Sequence, residues 1–233
     1  ELMNKYLEEG DLTEAEIIAA LAYVAVNPAI REVILTGGDP LVLSARRIKD
    51  LVARIEAIPT VETLRIHTRV PVVAPERVTE ALVSALESRL AVVVVLHANH
   101  AAEFTDVARA GLRAMQRAGI MLLSQSVLLR GVNDSLPALE QLFRELMRCG
   151  VKPYYLHHPD MAPGTGHFRL TIAEGQAIMN ENKSWVFFKE LTGDGPLGAL
   201  NIPVRRESSV AADPAFVPLG APVWLDVDRN EAD

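Results

Sequence analysis

Ala91-Val92-Val93-Val94-Val95-Leu96-His97-Ala98-Asn99-His100 is the stretch on which the fold turns. Six apolar residues, four of them β-branched valines, are too few for a buried helix and suit a short strand. The run does not alternate polar with apolar. A strand of this kind is expected inside a parallel sheet whose two faces are both covered. The chain turns polar at His97, where such a strand would end.

The same unit recurs on either side. Glu32 to Thr36 reads as a strand that stops at Gly37-Gly38-Asp39-Pro40, and Thr63 to His67 as another. Ile120 to Gln125 and Pro153 to Leu156 complete a set of five. Helical patterns fill the intervals, over about 44–57, 75–88, 103–118 and 136–149. Thr13 and Glu16 form a capping-box pattern for a helix through about Ala25, which Asn27-Pro28 ends. Thr171 and Glu174 repeat the box for a helix from about 172. Strand and helix in alternation define an α/β fold, either a barrel or an open doubly wound sheet; the pattern does not choose between them.

Near residue 180 the composition changes. All six histidines lie between 67 and 167, and both tryptophans, Trp185 and Trp224, lie beyond. The last fifty residues read as short strands separated by glycine and proline turns. We therefore divide the chain into 1–179, a βα domain, and 180–233, a β-rich segment.

Totals narrow the function. The chain of 233 residues carries 30 acidic against 23 basic side chains, which argues against gripping nucleic acid or an anionic membrane. No apolar run approaches the roughly 20 residues of a membrane span, and the first residues lack the basic-then-apolar pattern of a secretory signal. Cys149 is the only cysteine. One thiol excludes an internal disulfide framework and any cysteine-built metal site within a single chain. It also suits a reducing compartment, so a cytoplasmic location is expected.

In βα folds ligands bind where strands end. Here those ends carry Gly37-Gly38-Asp39, then His67-Thr68-Arg69, His97-Ala98-Asn99-His100, Ser124-Gln125-Ser126 and His157-His158-Pro159-Asp160. Solvated loops explain polarity, but not this concentration of His, Asn, Gln and Arg. Individually the residues have plainer readings. Gly37-Gly38 suits a tight turn, and His97 and His100 are better hydrogen-bonding groups than a metal pair. His157 and His158 point to opposite sides of an extended strand. Asp160 pairs with an ammonium or makes an Asx turn. Tyr154 and Tyr155 are expected to pack, and Cys149 to be a buried, inert thiol.

Over residues 30–178 the chain resembles the radical S-adenosylmethionine aminomutases of the lysine 2,3-aminomutase type, including the enzyme that isomerises lysine for elongation factor P. Four strings carry most of the likeness: Glu32-Val33-Ile34-Leu35-Thr36-Gly37-Gly38-Asp39-Pro40, Leu64-Arg65-Ile66-His67-Thr68-Arg69-Val70-Pro71-Val72-Val73, His97-Ala98-Asn99-His100 and Gln125-Ser126-Val127-Leu128-Leu129-Arg130-Gly131-Val132-Asn133-Asp134. Lys152-Pro153-Tyr154-Tyr155-Leu156-His157-His158-Pro159-Asp160 and Gly166-His167-Phe168-Arg169 continue it. The resemblance implies a partial (β/α) TIM-like barrel. It also implies three cofactors: S-adenosylmethionine, a four-iron–four-sulfur cluster that cleaves it to a radical, and pyridoxal phosphate holding a lysine-like amino acid. By position, Gly37, Gly38, Asp39, His67, Arg69, His97, Asn99 and Gln125 would line the S-adenosylmethionine side. Asp160 would pair with the distal ammonium of the substrate.

The chain departs from that family in three places. The family's Cys-x3-Cys-x2-Cys loop has no counterpart in residues 1–30, and thiolates are what such a cluster needs. The glycine-rich segment bearing the pyridoxal lysine is missing, as are some substrate-carboxylate arginines. The resemblance thus implies binding geometry without turnover, and a non-catalytic binding module is an alternative expectation. An incomplete barrel also leaves edges and apolar faces open, so self-association is expected.

From about 181 to 226 the chain resembles a different family, the membrane-bound lytic murein transglycosylases A. Asn182-Lys183-Ser184-Trp185-Val186-Phe187-Phe188-Lys189-Glu190, Gly195-Pro196-Leu197-Gly198-Ala199-Leu200 and Val217-Pro218-Leu219-Gly220-Ala221-Pro222-Val223-Trp224-Leu225-Asp226 carry that likeness. It implies part of a double-psi β-barrel and, as a second alternative, a fragment of a peptidoglycan-cleaving enzyme. The family's catalytic aspartate would lie beyond the matched segment, and Asp213 reads equally well as a turn residue before Pro214.

Overall fold

Backbone hydrogen bonding places a strand wherever the apolar runs predicted one. β1 spans Glu32–Leu35, β2 Thr63–Thr68, β3 Ala91–His97, β4 Met121–Val127 and β5 Lys152–His157. The structure is a computed structural model that describes residues 13–160 and 163–181. These residues belong to one compact unit. The five strands form one parallel sheet in the order β1-β2-β3-β4-β5. A doubly wound sheet reverses its strand order at a switch point. No reversal occurs here, and unidirectional order is how barrels are wound.

Local chemistry accounts for the helix starts. α1, Glu14–Val26, opens on a complete capping box in which the Thr13 hydroxyl accepts from the Glu16 amide and the Glu16 carboxylate accepts from the Thr13 amide. Ser44 caps α2, Ala45–Glu56, by accepting from the Arg47 amide. Two further helices are α3, Val70–Val73, and α4, Glu80–Ala85. Asp106–Arg117 forms α5, capped by Thr105, and Leu136–Arg148 forms α6. Thr171 and Glu174 make a second complete box at the start of α7, Ile172–Asn180.

Two expectations need correction. The single helix anticipated over 75–88 is broken. Pro75–Arg77 forms a 3₁₀ turn, and α4 begins afresh with the Thr79 hydroxyl accepting from the Leu82 amide. Thr79 is extended and caps α4, so the turn that opens at Pro75 ends before it and no single helix runs through. In addition, the helices of α2, α4, α5 and α6 pack on one face of the sheet only. Ile48, Val52, Ile55, Leu82, Leu86, Leu112, Met115, Leu142 and Leu146 meet Leu64, Ile66, Val92, Val94, Leu96 and Leu122 in one core.

On the opposite face, the register aligns Glu32 and Ile34 with Thr63 and Arg65, and Arg65 and His67 with Val93 and Val95. His97 aligns there with Gln125, and Gln125 with Tyr155. Burial in β2 alternates, with Leu64, Ile66 and Thr68 buried and the residues between them partly exposed. The valine run of β3 is buried throughout from Val92 to Leu96. Tyr154 and Tyr155 do not pack as expected. A register irregularity at Ser124/Gln125 leaves them 44 and 46 % exposed, with their hydroxyls 3.3 Å apart.

No described helix is long and apolar enough to cross a membrane. The boundary drawn at 179/180 falls at the last turn of α7, and the double-psi barrel expected beyond it lies outside the described residues.

Candidate functional site

At the carboxyl ends of β1, β2 and β3 lies a cleft of about 360 Å³. Thr36, Gly37, Gly38 and Asp39 line it from β1, and His67, Thr68 and Arg69 from β2. His97 contributes from β3, and Val42, Val70 and Val73 form an apolar lip. Six of the eight residues expected on the cofactor side are thus gathered in one place. Gln125 sits beside them, paired in register with His97.

Gly37 and Gly38 have φ of 82° and 54°. Two consecutive left-handed residues turn the chain back sharply at the end of β1, which glycine does without steric cost. A Cβ on Gly37 would meet nothing within 4 Å, so conformation rather than crowding requires glycine there.

Asp39 anchors this turn. Its Oδ1 accepts from the Leu41 amide at 3.1 Å and the Thr68 hydroxyl at 2.7 Å. Oδ2 accepts from the amides of Arg69 at 2.6 Å and Val70 at 3.3 Å. The carboxylate therefore joins the end of β1 to the end of β2 and shapes one wall of the cleft. Its reach toward a ligand is indirect.

His67 and His97 meet edge to face, with Nδ1 of the first 3.2 Å from Nε2 of the second and the ring planes at 89°. One nitrogen donates and the other accepts, so this contact needs at least one neutral ring. Burial, then the nearby Arg65 guanidinium, lowers the His67 pKa below 6.5. His97 is also lowered, by burial first and then by His67 and Arg69. The cleft thus presents neutral imidazoles at neutral pH.

Arg69 is exposed and lies 3.5 Å from Glu103. Glu103 also accepts from the amides of Asn99 at 2.6 Å and His100 at 2.8 Å. His100 does not join His97 as a metal pair: its Nδ1 accepts from the Ala102 amide and caps the turn Ala101–Glu103. Among the described residues no cluster of three or more His, Cys, Asp or Glu is placed to hold a metal ion.

Asn99 lies just beyond His97, and its Oδ1 accepts from the Val127 amide at 2.8 Å. His157 and His158 diverge as expected. His157 stacks beside Tyr155 on the sheet face opposite the helices, and His158 lies against Gly175 of α7. Asp160 is exposed beyond β5 and does not line the cleft. Thr68, Ser126 and Asn133, present in the sequence at or after the strand ends but given no role there, have side chains that are buried and hydrogen-bonded at those ends.

An unreversed parallel sheet, with helices on one face and a polar cleft at its carboxyl edge, defines the class as a partial β/α fold. Sequence comparison then points to a family. The chain is 44% identical over 196 residues to the L-lysine 2,3-aminomutase of Escherichia coli (strain K12), covering 81% of this chain and 57% of that protein. Proteins of the same name from Fusobacterium nucleatum and Clostridium subterminale are 34 and 38% identical over 203 and 160 residues. These matches cover 86 and 69% of this chain and 48 and 38% of the relatives. The chain therefore spans about half the length of the curated relatives it matches, and the similarity supports the lysine 2,3-aminomutase family. No protein-family model matches. A solved tropomodulin C-terminal domain from Caenorhabditis elegans aligns at 11% identity with a TM-score of 0.27, too low to bear on the fold. The murein transglycosylase resemblance of the tail gains no support from these relatives.

Proposed function

We propose that the cleft at the ends of β1 to β3 binds S-adenosylmethionine, and that the chain is the binding portion of a lysine 2,3-aminomutase-type protein acting on a lysine-like amino acid. The observation that carries this reading is the convergence of Gly37, Gly38, Asp39, His67, Arg69 and His97 on one cleft, in a chain 44% identical to an L-lysine 2,3-aminomutase. The residues fit the ligand chemically. A glycine turn offers backbone polar groups, neutral imidazoles offer hydrogen bonds, and Val42, Val70 and Val73 offer an apolar wall. S-adenosylmethionine would supply a hydrogen-abstracting radical only with an electron donor to cleave it, and the described residues provide none. This chain's residues bind it, orient it and partly shield it from water. Asp160 would face the distal ammonium of the amino acid, where a carboxylate gives charge-assisted recognition.

The other two groups implied by the family do not fit the described residues. A four-iron cluster needs thiolates. Cys149 is a lone thiol, 1% exposed at the end of α6, and burial raises its pKa. Pyridoxal phosphate needs a lysine near the strand ends. Among the described residues the lysines are Lys49 on α2 and Lys152 at the start of β5, neither at a carboxyl end. No catalytic step is therefore assigned to these residues, and the activity they support is binding.

Titration calorimetry of the full chain with S-adenosylmethionine, and separately with L-lysine, tests the reading. Heat of binding with S-adenosylmethionine that is lost in Gly38→Val is the expected result. Absence of heat at millimolar S-adenosylmethionine would overturn it.

A further inference from the structure

Beyond the pair His97↔Gln125, the ladder between β3 and β4 passes into side-chain bonds. The Ala98 amide still donates to the Gln125 carbonyl at 3.3 Å. One step on, the Val127 amide donates to Asn99 Oδ1 at 2.8 Å, and the Val127 carbonyl accepts from Asn133 Nδ2 at 2.9 Å. Asn133 Nδ2 also donates to the Asn99 carbonyl at 2.8 Å, and its Oδ1 accepts from the Leu129 amide at 2.7 Å. The Ser126 hydroxyl donates to the Ala98 carbonyl at 2.6 Å. Asn133 is fully buried, as is Ser126. The amide of Asn133 faces two carbonyls on one side and an N–H on the other, so its orientation is fixed by chemistry.

A parallel sheet whose strands end together frays at its tips unless the last backbone groups find partners. Here those groups belong to the two residues, Asn99 and Val127, that adjoin the cofactor-side residues His97 and Gln125. Asn133 reaches both tips at once from a loop that neither strand contains.

We propose that Asn133 is a positioning residue for the cleft. It clasps the tips of β3 and β4 and so sets the placement of His97, Asn99 and Gln125 against a bound ligand. This inference rests on the reading of the cleft as an S-adenosylmethionine site. A side chain that only stabilised the fold would lower the melting temperature and leave the ligand affinity of the folded protein intact. A clasp on the site changes affinity in the folded protein as well.

The test is Asn133→Ser in the full chain. Serine is too short to reach either strand tip, so the bonds to Asn99 and Val127 are lost. We expect a cooperative melt, a dissociation constant for S-adenosylmethionine raised about tenfold, and displaced NMR signals of the His97 ring and the Asn99 and Gln125 side-chain amides. Wild-type affinity in the folded variant, or unmoved signals at those three residues, would overturn the proposal. The NMR arm needs no ligand. If the unaltered chain binds no S-adenosylmethionine, the functional reading fails and the clasp is judged on the signals alone. Should Asn133→Ser not fold, Ser126→Ala removes one bond of the same tie. It should move the same three signals and weaken affinity by a smaller factor; unchanged values there would sink the idea.

Discussion

Asp39 shows how one carboxylate can shape a cleft from within its wall. Its two oxygens take four hydrogen bonds, three of them from residues 68 to 70 on the neighbouring strand end. Asp39→Asn would turn an amide donor toward groups that are themselves donors. The expected loss is about 1–3 kcal/mol, the cost of leaving such groups unpaired, read as a lower urea midpoint. The histidine pair makes a separate prediction about pH. Both rings have folded pKa values below 6.5. The unfolded chain therefore binds protons first as pH falls. Stability is at its full value above pH 6.5 and declines as the pH drops toward the folded pKa values. Urea midpoints measured across that range should fall for the unaltered chain and fall less for His67→Gln/His97→Gln. Equal slopes would remove the pair from this role. Asp39 and both histidines could be picked out in the sequence by type and position. That Asp39 bonds Thr68, and that His67 touches His97, could not, because both contacts depend on strand register.

At the scale of elements, α2, α5 and α6 are held mainly by their buried stripes. α5 contributes Ala108, Leu112 and Met115 to the core, and Gly111 lets it approach Val78, whose Cβ lies 3.0 Å from where a Gly111 Cβ would sit. Leu112→Ala should cost about 2–5 kcal/mol, measured by denaturant unfolding, since the removed side chain leaves a cavity among well-packed neighbours. The capping boxes at Thr13/Glu16 and Thr171/Glu174 were legible because donor and acceptor are three residues apart. The break at Pro75 to Thr79 was masked by apolar residues that continue on both sides of it. The loops after strands were legible as polar. Their division of labour was not: His100 and Glu103 cap a turn, while His97 faces the cleft.

At the scale of the molecule, β1 and β5 are paired on one side only among the described residues. Ile34, Met121, Tyr154 and Tyr155 are large side chains left exposed on the sheet strands. Open edges and exposed apolar groups favour pairing between chains. Sedimentation velocity over a concentration series should show self-association. A single monomeric species at every concentration would contradict this.

The amino-acid sequence by itself determined the order of the five strands and the longer helices between them, the two capping boxes, the burial of Cys149, and the collection of His, Asn, Gln and Arg at strand ends. Each of these depends on neighbours a few residues apart or on the period of an apolar pattern. Tertiary structure alone decided that the sheet runs without reversal and carries its helices on one face. It also brought Asp39 to Thr68, His67 to His97, and Asn133 to the tips of two strands. Those contacts join residues about 30 positions apart, and only the alignment of one strand against the next sets which of them meet.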